Sequence, residues 1–148
     1  MCALSVNLKV KFVKRIRFGI LGLIALAIFA ACSKSSCNVV PDVFVMERIS
    51  LVQYPQLRLP QQPVAINQGG VAGLIVMNVG NDQFVAFDRC STVNPHKQCA
   101  VEVNGLVAKD PCSGATYILT NGSPSDIAEC PLKPYRAFRN GETIEIRN

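Results

Sequence analysis

The sequence predicts an all-β domain that follows an N-terminal targeting segment, and three observations support this class. Beyond residue 31, no stretch of about 11 residues repeats apolar side chains at the 3.6-residue period of an amphipathic helix. Short runs of β-branched and aromatic residues alternate with turns that contain Gly, Asn or Pro. Two of these turns contain Asn-Gly, at Asn104-Gly105 and Asn140-Gly141. Asn104-Gly105, between two short β-forming runs, is a strong signal for a type I′ turn, and the closing hairpin of the domain is expected around Asn140-Gly141.

The N-terminal segment has the pattern of a bacterial lipoprotein signal. Five basic residues lie within residues 9–17, and no acidic residue occurs before Asp42. The apolar run at residues 18–31 is 14 residues long, which is too short to span a bilayer comfortably. It ends in Ile28-Phe-Ala-Ala-Cys32, which resembles a lipobox that is cut before Cys32 while Cys32 receives the lipid. The alternatives are an ordinary signal peptide cut at the same place and an uncleaved anchor helix.

This interpretation divides the chain into a signal peptide (1–31), a tether (32–41) and a folded domain (42–148). The whole chain has 15 Lys and Arg against 10 Asp and Glu, and removing the five basic residues of the signal leaves 10 of each. The near-zero net charge indicates no nucleic-acid partner. We therefore expect a periplasm-facing protein of the bacterial cell envelope that is attached to a membrane through its N-terminal lipid. The sequence leaves open which membrane that is.

The predicted strands are short apolar runs bounded by turn residues. Residues 53–63 contain Pro55 and Pro60 and are expected to form an irregular edge or loop. A Gly-Asn-Asp turn at residues 80–82 separates two apolar runs and predicts a hairpin, although the second run shows no clean alternation. The strands are expected at residues 42–47, 64–67, 74–78, 83–88, 100–103, 106–108, 117–119, 136–138 and 143–146.

Two segments carry the most specific pattern, Asn94-Pro-His-Lys-Gln-Cys99 and Asp110-Pro-Cys-Ser-Gly-Ala-Thr-Tyr117. They resemble the two cluster-binding loops of a Rieske iron–sulfur domain, which in that family read Cys-x-His-x-Gly-Cys and Cys-Pro-Cys-His-Gly-Ser-x-Phe/Tyr. Two Cys and two His there hold a [2Fe–2S] cluster, and the remaining two Cys form a disulfide between the loops. The resemblance covers residues 64–147. It implies stacked antiparallel β-sheets with two loop-bearing hairpins.

The resemblance implies a disulfide between Cys99 and Cys112, and it places the cluster ligands at four positions. These positions hold Asn94, His96, Asp110 and Ser113. A Rieske centre requires two imidazoles on one iron and two thiolates on the other. Because the chain contains a single histidine, no shift of register can supply this donor set. We expect a Rieske-like domain that lacks the cluster; a [2Fe–2S] cofactor is implied only if the family function is retained.

The remaining cysteines are expected to pair, because disulfides are typical of exported proteins. Cys90 ends the strand that enters the first loop and Cys130 precedes the strand that leaves the second, so these two form the natural second pair. Cys37 is then left over in the tether, either free or paired with one of the others. A rival use of Cys90, Cys99, Cys112 and Cys130, with His96, is a zinc or thiolate-cluster site. The chain has no Cys-x-x-Cys pair, so no metal site is expected.

No catalytic residue is expected in this chain. A hydrolase triad of Ser113, His96 and Asp110 would need an oxyanion hole, and nothing in the sequence supplies one. The preferred interpretation of His96 is a solvated loop side chain. Three function classes remain open: a non-enzymatic, membrane-tethered binding or structural module with a protein partner, an electron-transfer Rieske protein, and a disulfide-redox or metal-binding lipoprotein.

Overall fold

The structure, a computed structural model, describes residues 37–148. The predicted signal peptide and the predicted lipidation site at Cys32 lie outside the described residues. The described part contains ten strands and two short 3-10 turns and no α-helix, which confirms the all-β prediction. No helix in this part of the chain has the length and hydropathy needed to cross a membrane.

The strands form two antiparallel sheets. The larger sheet contains β1 (Met46–Ser50), β2 (Val64–Ile66), β3 (Leu74–Gly80), β4 (Gln83–Asp88), β9 (Pro134–Asn140) and β10 (Thr143–Arg147). The smaller sheet contains β5 (Glu102–Asn104), β6 (Val107–Lys109), β7 (Thr116–Ile118) and β8 (Pro124–Asp126). Their orders are β1-β10-β9-β4-β3-β2 and β5-β6-β7-β8. The 3-10 turns are Pro55–Arg58 and Pro95–Lys97.

Strands β3 and β4 lie between two hydrophobic cores and bury side chains on both faces. Leu74 and Val76 of β3 pack into a core with β1 and β10. Ile75 and Met77, on the opposite face of β3, pack into a second core beneath the smaller sheet. A strand that is buried on both faces has no solvent side, so the alternation of polar and apolar residues disappears. This explains why residues 83–88 show no clean alternation in the sequence.

The predicted hairpin at residues 80–82 is confirmed. Gly80 pairs with Gln83, and the two turn residues between them are Asn81 and Asp82. Both turn residues have positive φ, 51° and 56°. Positive φ at both central positions is the requirement of a type I′ turn, and Asn and Asp tolerate that conformation better than most residues.

The turn predicted at Asn104-Gly105 lies one residue further along the chain than expected. Asn104 pairs with Val107, so Gly105 and Leu106 are the turn residues and Asn104 belongs to β5. Gly105 has a φ of 59°, which glycine adopts without steric cost. A type I′ turn needs positive φ at the second turn residue as well, and Leu106 is not among the residues with positive φ in the described chain. The type I′ prediction was therefore wrong, while the hairpin itself is present.

Candidate functional site

The first of the two loops connects β4 to β5 and is closed at its base by backbone hydrogen bonds. Cys90 and Ala100 form an isolated antiparallel bridge. Next to this bridge, the N–H of Ser91 donates to the carbonyl of Cys99 over 2.9 Å. The chain therefore leaves the sheet and returns to it at neighbouring positions, and residues 92–98 form the loop between them.

The tip of the first loop consists of the turn Pro95–Lys97, in which His96 is exposed. Asn94 and Gln98 flank the turn, and both have left-handed backbone conformations with φ of 55° and 50°. Asparagine adopts this conformation at low cost, whereas most other residues with a Cβ do not. The first two positions at which the Rieske resemblance places ligands, Asn94 and His96, are therefore solvent-facing.

The second loop, residues 110–115, folds around the carboxylate of Asp110, which is fully buried. This carboxylate accepts hydrogen bonds from the backbone N–H of Cys112 (2.8 Å) and from the hydroxyl of Ser113 (2.5 Å). The carbonyl of Asp110 also accepts from the N–H of Gly114 over 2.8 Å. An aspartate that bonds the backbone two residues on is a frequent turn-forming arrangement. The side chains of Asp110 and Ser113, which occupy the other two ligand positions, are thus hydrogen-bonded to each other.

These contacts set the protonation state of Asp110. Burial by itself raises the pKa of a carboxyl group, because it disfavours the charged form. Hydrogen bonds outweigh the burial and hold the pKa of Asp110 below its usual range: that of the Ser113 hydroxyl is foremost, followed by that of the Ser91 side chain and those of the loop backbone. The second loop therefore contains a buried carboxylate anion that is stabilised by hydrogen-bond donors.

A disulfide between Cys99 and Cys112 joins the two loops, with the two Cα atoms 6.4 Å apart. This is the pairing that the resemblance implied. The two sulfur atoms and a carboxylate oxygen of Asp110 lie within 4.8 Å of one another. Metals are bound by thiolates, so the two sulfur atoms are not available as ligands while the disulfide is intact.

The Tyr117 hydroxyl is a second connection between the loops. Tyr117 lies in β7, directly after the second loop, and its side chain is fully buried. Its oxygen accepts a hydrogen bond from the N–H of Thr92 (3.1 Å) and lies 2.9 Å from the Thr92 hydroxyl and 3.2 Å from the Ser91 hydroxyl. The Thr92 hydroxyl donates in turn to the carbonyl of Cys130 over 2.7 Å. Sequence reasoning matched Tyr117 to the motif but missed this role. The available signal was the phenol itself, because a buried tyrosine O–H usually has a hydrogen-bond partner.

The buried carboxylate of Asp88 stabilises the base of the first loop, and sequence reasoning missed this residue. It accepts hydrogen bonds from the N–H groups of Val71 (2.7 Å), Ala72 (3.2 Å) and Cys90 (2.8 Å), and from the hydroxyl of Tyr135 (2.8 Å). Burial first, and then the bond to Asp88, raises the pKa of Tyr135. The only sequence signal was a single acidic residue at the end of an apolar strand.

The second disulfide differs from the expected pair. Cys130 is joined to Cys37 of the tether, with a Cα separation of 5.3 Å, and not to Cys90. The Sγ atom of Cys90 is buried against the carbonyl of Pro95 at 3.5 Å, under the tip of the first loop. Among the described residues Cys90 is the cysteine without a disulfide. Burial first, followed by the charges of Asp88 and Asp110, raises the pKa of its thiol to about 11.

The residues present do not fit a Rieske cluster. Asn94 and His96 are exposed at the tip of the first loop, whereas Asp110 and Ser113 are hydrogen-bonded to each other. The chain has one histidine, and a Rieske centre needs two. The thiol of Cys90 is protonated at neutral pH, so it is not a ready thiolate ligand.

The side chains of Ser113, His96 and Asp110 are not arranged as the hydrolase triad considered in the sequence. In a hydrolase triad the histidine lies between the serine and the acid and takes the proton of the serine hydroxyl. Here the Ser113 hydroxyl donates directly to Asp110. Within residues 37–148, His96 makes no side-chain hydrogen bond to either of them.

An open cavity of about 290 Å³ lies beside the two loops, between the tether and the segment that leads to β9. It is lined by Val39, Thr92, Val93, Ile127, Glu129 and Cys130. Ile127 has a φ of 65° and is 58% exposed. The N–H of Ala128 donates to the carbonyl of Asp126 over 2.7 Å, which makes Ile127 the centre of a γ-turn. A β-branched residue rarely adopts this conformation, so the backbone here is strained.

Among the comparisons with known proteins, the one with solved structures found similar chains. No protein-family model matches the sequence, and no curated protein matches it. The chain is similar to a chain in the complex of reduced oxygenase and oxidized ferredoxin in carbazole 1,9a-dioxygenase, with 22% identity and a TM-score of 0.47 over 70% of this chain and 93% of that one. It is also similar to the ferredoxin of carbazole 1,9a-dioxygenase from Nocardioides aromaticivorans (18% identity, TM-score 0.44, 72% and 98% covered). A putative NADH-dependent nitrite reductase small subunit from Mycobacterium tuberculosis has 16% identity and a TM-score of 0.42, with 72% and 97% covered.

Proposed function

We propose that this chain is a membrane-tethered, Rieske-like domain without a cluster that binds a protein partner and catalyses no reaction. It faces the periplasm of a bacterial cell envelope and is held there by a lipid on Cys32. The observation that supports the loss of the cluster most directly is the hydrogen bond between Asp110 and Ser113, which occupies two of the four ligand positions.

The two loops remain connected without a metal. The disulfide Cys99–Cys112 joins them covalently, and the Tyr117 hydroxyl joins them through Thr92. Asp110 gives the second loop its shape through hydrogen bonds from the Cys112 N–H and the Ser113 hydroxyl. These three features supply the rigidity that a shared cluster supplies in a metal-binding member of the family, so the loops keep a defined surface.

The surface that this rigidity preserves is the loop end, which we define as residues 91–99, 110–115 and 127–130. It presents the exposed tip Pro95–Lys97 beside the open cavity that contains Val93 and Ile127. Backbone strain persists where the surrounding structure enforces it, and it is concentrated at functional sites. A surface whose loops are fixed in advance also loses less conformational entropy on binding. We infer that the protein partner contacts the loop end.

The cluster part of the proposal is tested by the visible absorption spectrum of the anaerobically purified protein, measured together with iron and acid-labile sulfide on the same sample. We expect a colourless protein without stoichiometric iron or sulfide, in which Cys99 and Cys112 are found as a disulfide by peptide mapping. Broad visible bands with stoichiometric iron and sulfide would overturn the proposal and make electron transfer the leading function.

The anchor part is tested separately by metabolic labelling with a radioactive fatty acid and by fractionation of cells. We expect the label and the membrane location to be lost in Cys32→Ser. The matched control is Cys2→Ser, which removes a cysteine of the predicted signal peptide and should leave both unchanged. An unlabelled wild-type chain, or a Cys32→Ser chain that keeps the label, contradicts the lipid anchor.

A second candidate function is metal binding by the reduced loop end. It is favoured by the position of the Cys99 and Cys112 sulfur atoms and an Asp110 oxygen within 4.8 Å of one another. After reduction by a dithiol these three groups would offer two thiolates and a carboxylate, a donor set that suits zinc. Titration of the reduced and the oxidised protein with Zn²⁺ by calorimetry distinguishes this candidate, since only the reduced form would bind.

A further inference from the structure

The outer face of strands β1, β10 and β9 carries an unusual combination of side chains. Paired residues in an antiparallel sheet point to the same side. Met46 pairs with Arg147, which pairs with Arg136. Arg48 pairs with Glu145, which pairs with Phe138. We call this surface, together with Phe44, the basic–aromatic face.

The apolar side chains of this face are strongly exposed. Phe44 is 84% exposed and Met46 is 66% exposed. Phe44 lies between Val43 and Val45, which both pack against the hydrophobic core, so the alternation of side chains directs Phe44 away from it. Single exposed apolar residues are common on protein surfaces. Here two of them are two residues apart on one side of the same extended segment.

The charged side chains of this face are mostly basic. Three arginines, Arg48, Arg136 and Arg147, accompany one carboxylate, Glu145. Arg48 lies 3.7 Å from Glu145, and the guanidinium of Arg147 lies 4.8 Å above the ring of Phe138. The face therefore carries an excess of two positive charges. Aromatic and apolar side chains flanked by arginine suit the headgroup region of a bilayer that contains anionic lipids.

The described chain leads from Cys37 into the first residues of this face. The chain runs from Cys37, fixed to Cys130, to Phe44 and directly into β1. The Lys133 ammonium group donates to the carbonyl of Pro41 and fixes the segment between them. Cys32 precedes Cys37 by five residues, which span at most about 18 Å when fully extended. A lipid on Cys32 therefore holds the start of the domain near the bilayer surface.

We propose that the basic–aromatic face lies against the surface of a bilayer containing anionic lipids, with Phe44 and Met46 inserted between the headgroups. This inference deepens the proposed function and rests on its membrane location. The lipid on Cys32 supplies the attachment, and the face supplies a defined orientation of the domain on the membrane.

The absence of tryptophan from the chain allows a direct test. The Phe44→Trp variant places a single fluorophore on the face. The matched control is Leu59→Trp, because Leu59 is also apolar and 60% exposed. It follows Arg58, which pairs with Glu142 at the β9–β10 turn, away from Phe44. Both full-length variants are expressed in bacteria, purified from membranes and reconstituted in vesicles of phosphatidylcholine alone or mixed with phosphatidylglycerol, each with a doxyl-labelled lipid as quencher.

We expect the emission of Phe44→Trp to shift to the blue and to be quenched several-fold more than that of Leu59→Trp in the vesicles that contain phosphatidylglycerol. Added salt should reduce the difference, because it screens the arginines. The difference in quenching should disappear when Phe44→Trp is combined with Arg48→Glu or with Arg136→Glu, while the circular dichroism spectrum stays unchanged.

Equal quenching of the two tryptophan variants in both kinds of vesicle overturns the inference. So does a Phe44→Trp response that is the same with and without phosphatidylglycerol, since the arginines would then have no role. These outcomes are separable from failure of the anchor. If the fatty-acid label on Cys32 is absent while Phe44→Trp still responds to phosphatidylglycerol, the inference about the face is supported and the predicted lipid anchor is wrong.

Discussion

The hydroxyl of Ser113 donates a hydrogen bond of 2.5 Å to the buried carboxylate of Asp110. In the Rieske resemblance these two positions belong to a cysteine and a histidine that bind iron. Here the side chains bond to each other and to the backbone of their own loop. This pair of hydrogen-bonded side chains therefore stabilises the conformation of the second loop.

Replacing Asp110 by alanine should destabilise the domain by about 2–3 kcal/mol, because the Cys112 N–H and the Ser113 hydroxyl lose their buried acceptor. Asp110→Asn should cost less, since an acceptor oxygen remains. The free energy of unfolding is measured by urea denaturation. Asp126→Ala, which removes an exposed carboxylate, is the control and should change stability little. Equal effects at the two positions would contradict the role of Asp110.

The acid side of the stability profile should depend on Asp110. Its pKa in the folded protein lies below the usual range, so the unfolded state binds a proton first as the pH falls. The stabilisation is therefore complete above the unfolded-state pKa of about 3.9 and is lost as the pH falls through the lower folded-state pKa. In urea melts between about pH 5 and pH 2, Asp110→Asn should lose less stability than the wild type. Parallel curves would mean that other carboxylates carry the acid sensitivity.

The two disulfides should differ in their contribution to stability. On the chain-entropy account the Cys99–Cys112 link, with a separation of 13 residues, contributes about 3 kcal/mol. The Cys37–Cys130 link, with a separation of 93 residues, contributes about 4.5 kcal/mol. Each pair is replaced by two serines and compared in thermal and urea unfolding. Neither change should alter colour or metal content, and loss of a bound metal from Cys99→Ser or Cys112→Ser would refute the cluster-free proposal.

Cys90 should not react with alkylating reagents while the protein is folded. Its thiol is buried and its pKa is raised to about 11, so the reactive thiolate is scarce near neutral pH. Alkylation with iodoacetamide at about pH 8, followed by mass spectrometry of the Cys90 peptide, should give labelling only after denaturant is added. Cys90→Ser supplies the background. Fast labelling of the folded protein would show that the base of the first loop opens.

Removal of the Tyr117 hydroxyl should loosen the first loop more than the rest of the domain. In Tyr117→Phe the Thr92 N–H and the Ser91 hydroxyl lose a partner, at a cost of about 1–2 kcal/mol. Hydrogen exchange should become faster in residues 91–98 and stay unchanged in β1 and β10. Tyr54→Phe is the control, because the Tyr54 hydroxyl makes no hydrogen bond within the described part of the chain. A uniform increase in exchange would indicate a general loss of stability instead.

The parts of the fold that depend on neighbouring residues were predictable. The hairpin at residues 80–82 follows from the turn preferences of Asn81 and Asp82, and the strand pattern follows from side-chain period. The turn at Gly105 was misplaced by one residue, because either Asn104 or Leu106 can accompany the glycine in a two-residue turn. Which one does so depends on the register between β5 and β6.

Turn chemistry and strand period depend on adjacent residues, so the amino-acid sequence alone predicted the all-β class and the positions of the two loops. It also showed that three of the four ligand positions, Asn94, Asp110 and Ser113, hold no Rieske donor, and that the chain has a single histidine. Three other features became known from the folded structure: Cys130 pairs with Cys37, Asp88 holds the segment at Val71, and β3 is buried on both faces. These features arise between residues that lie far apart in the chain, and their partners depend on how the two sheets pack.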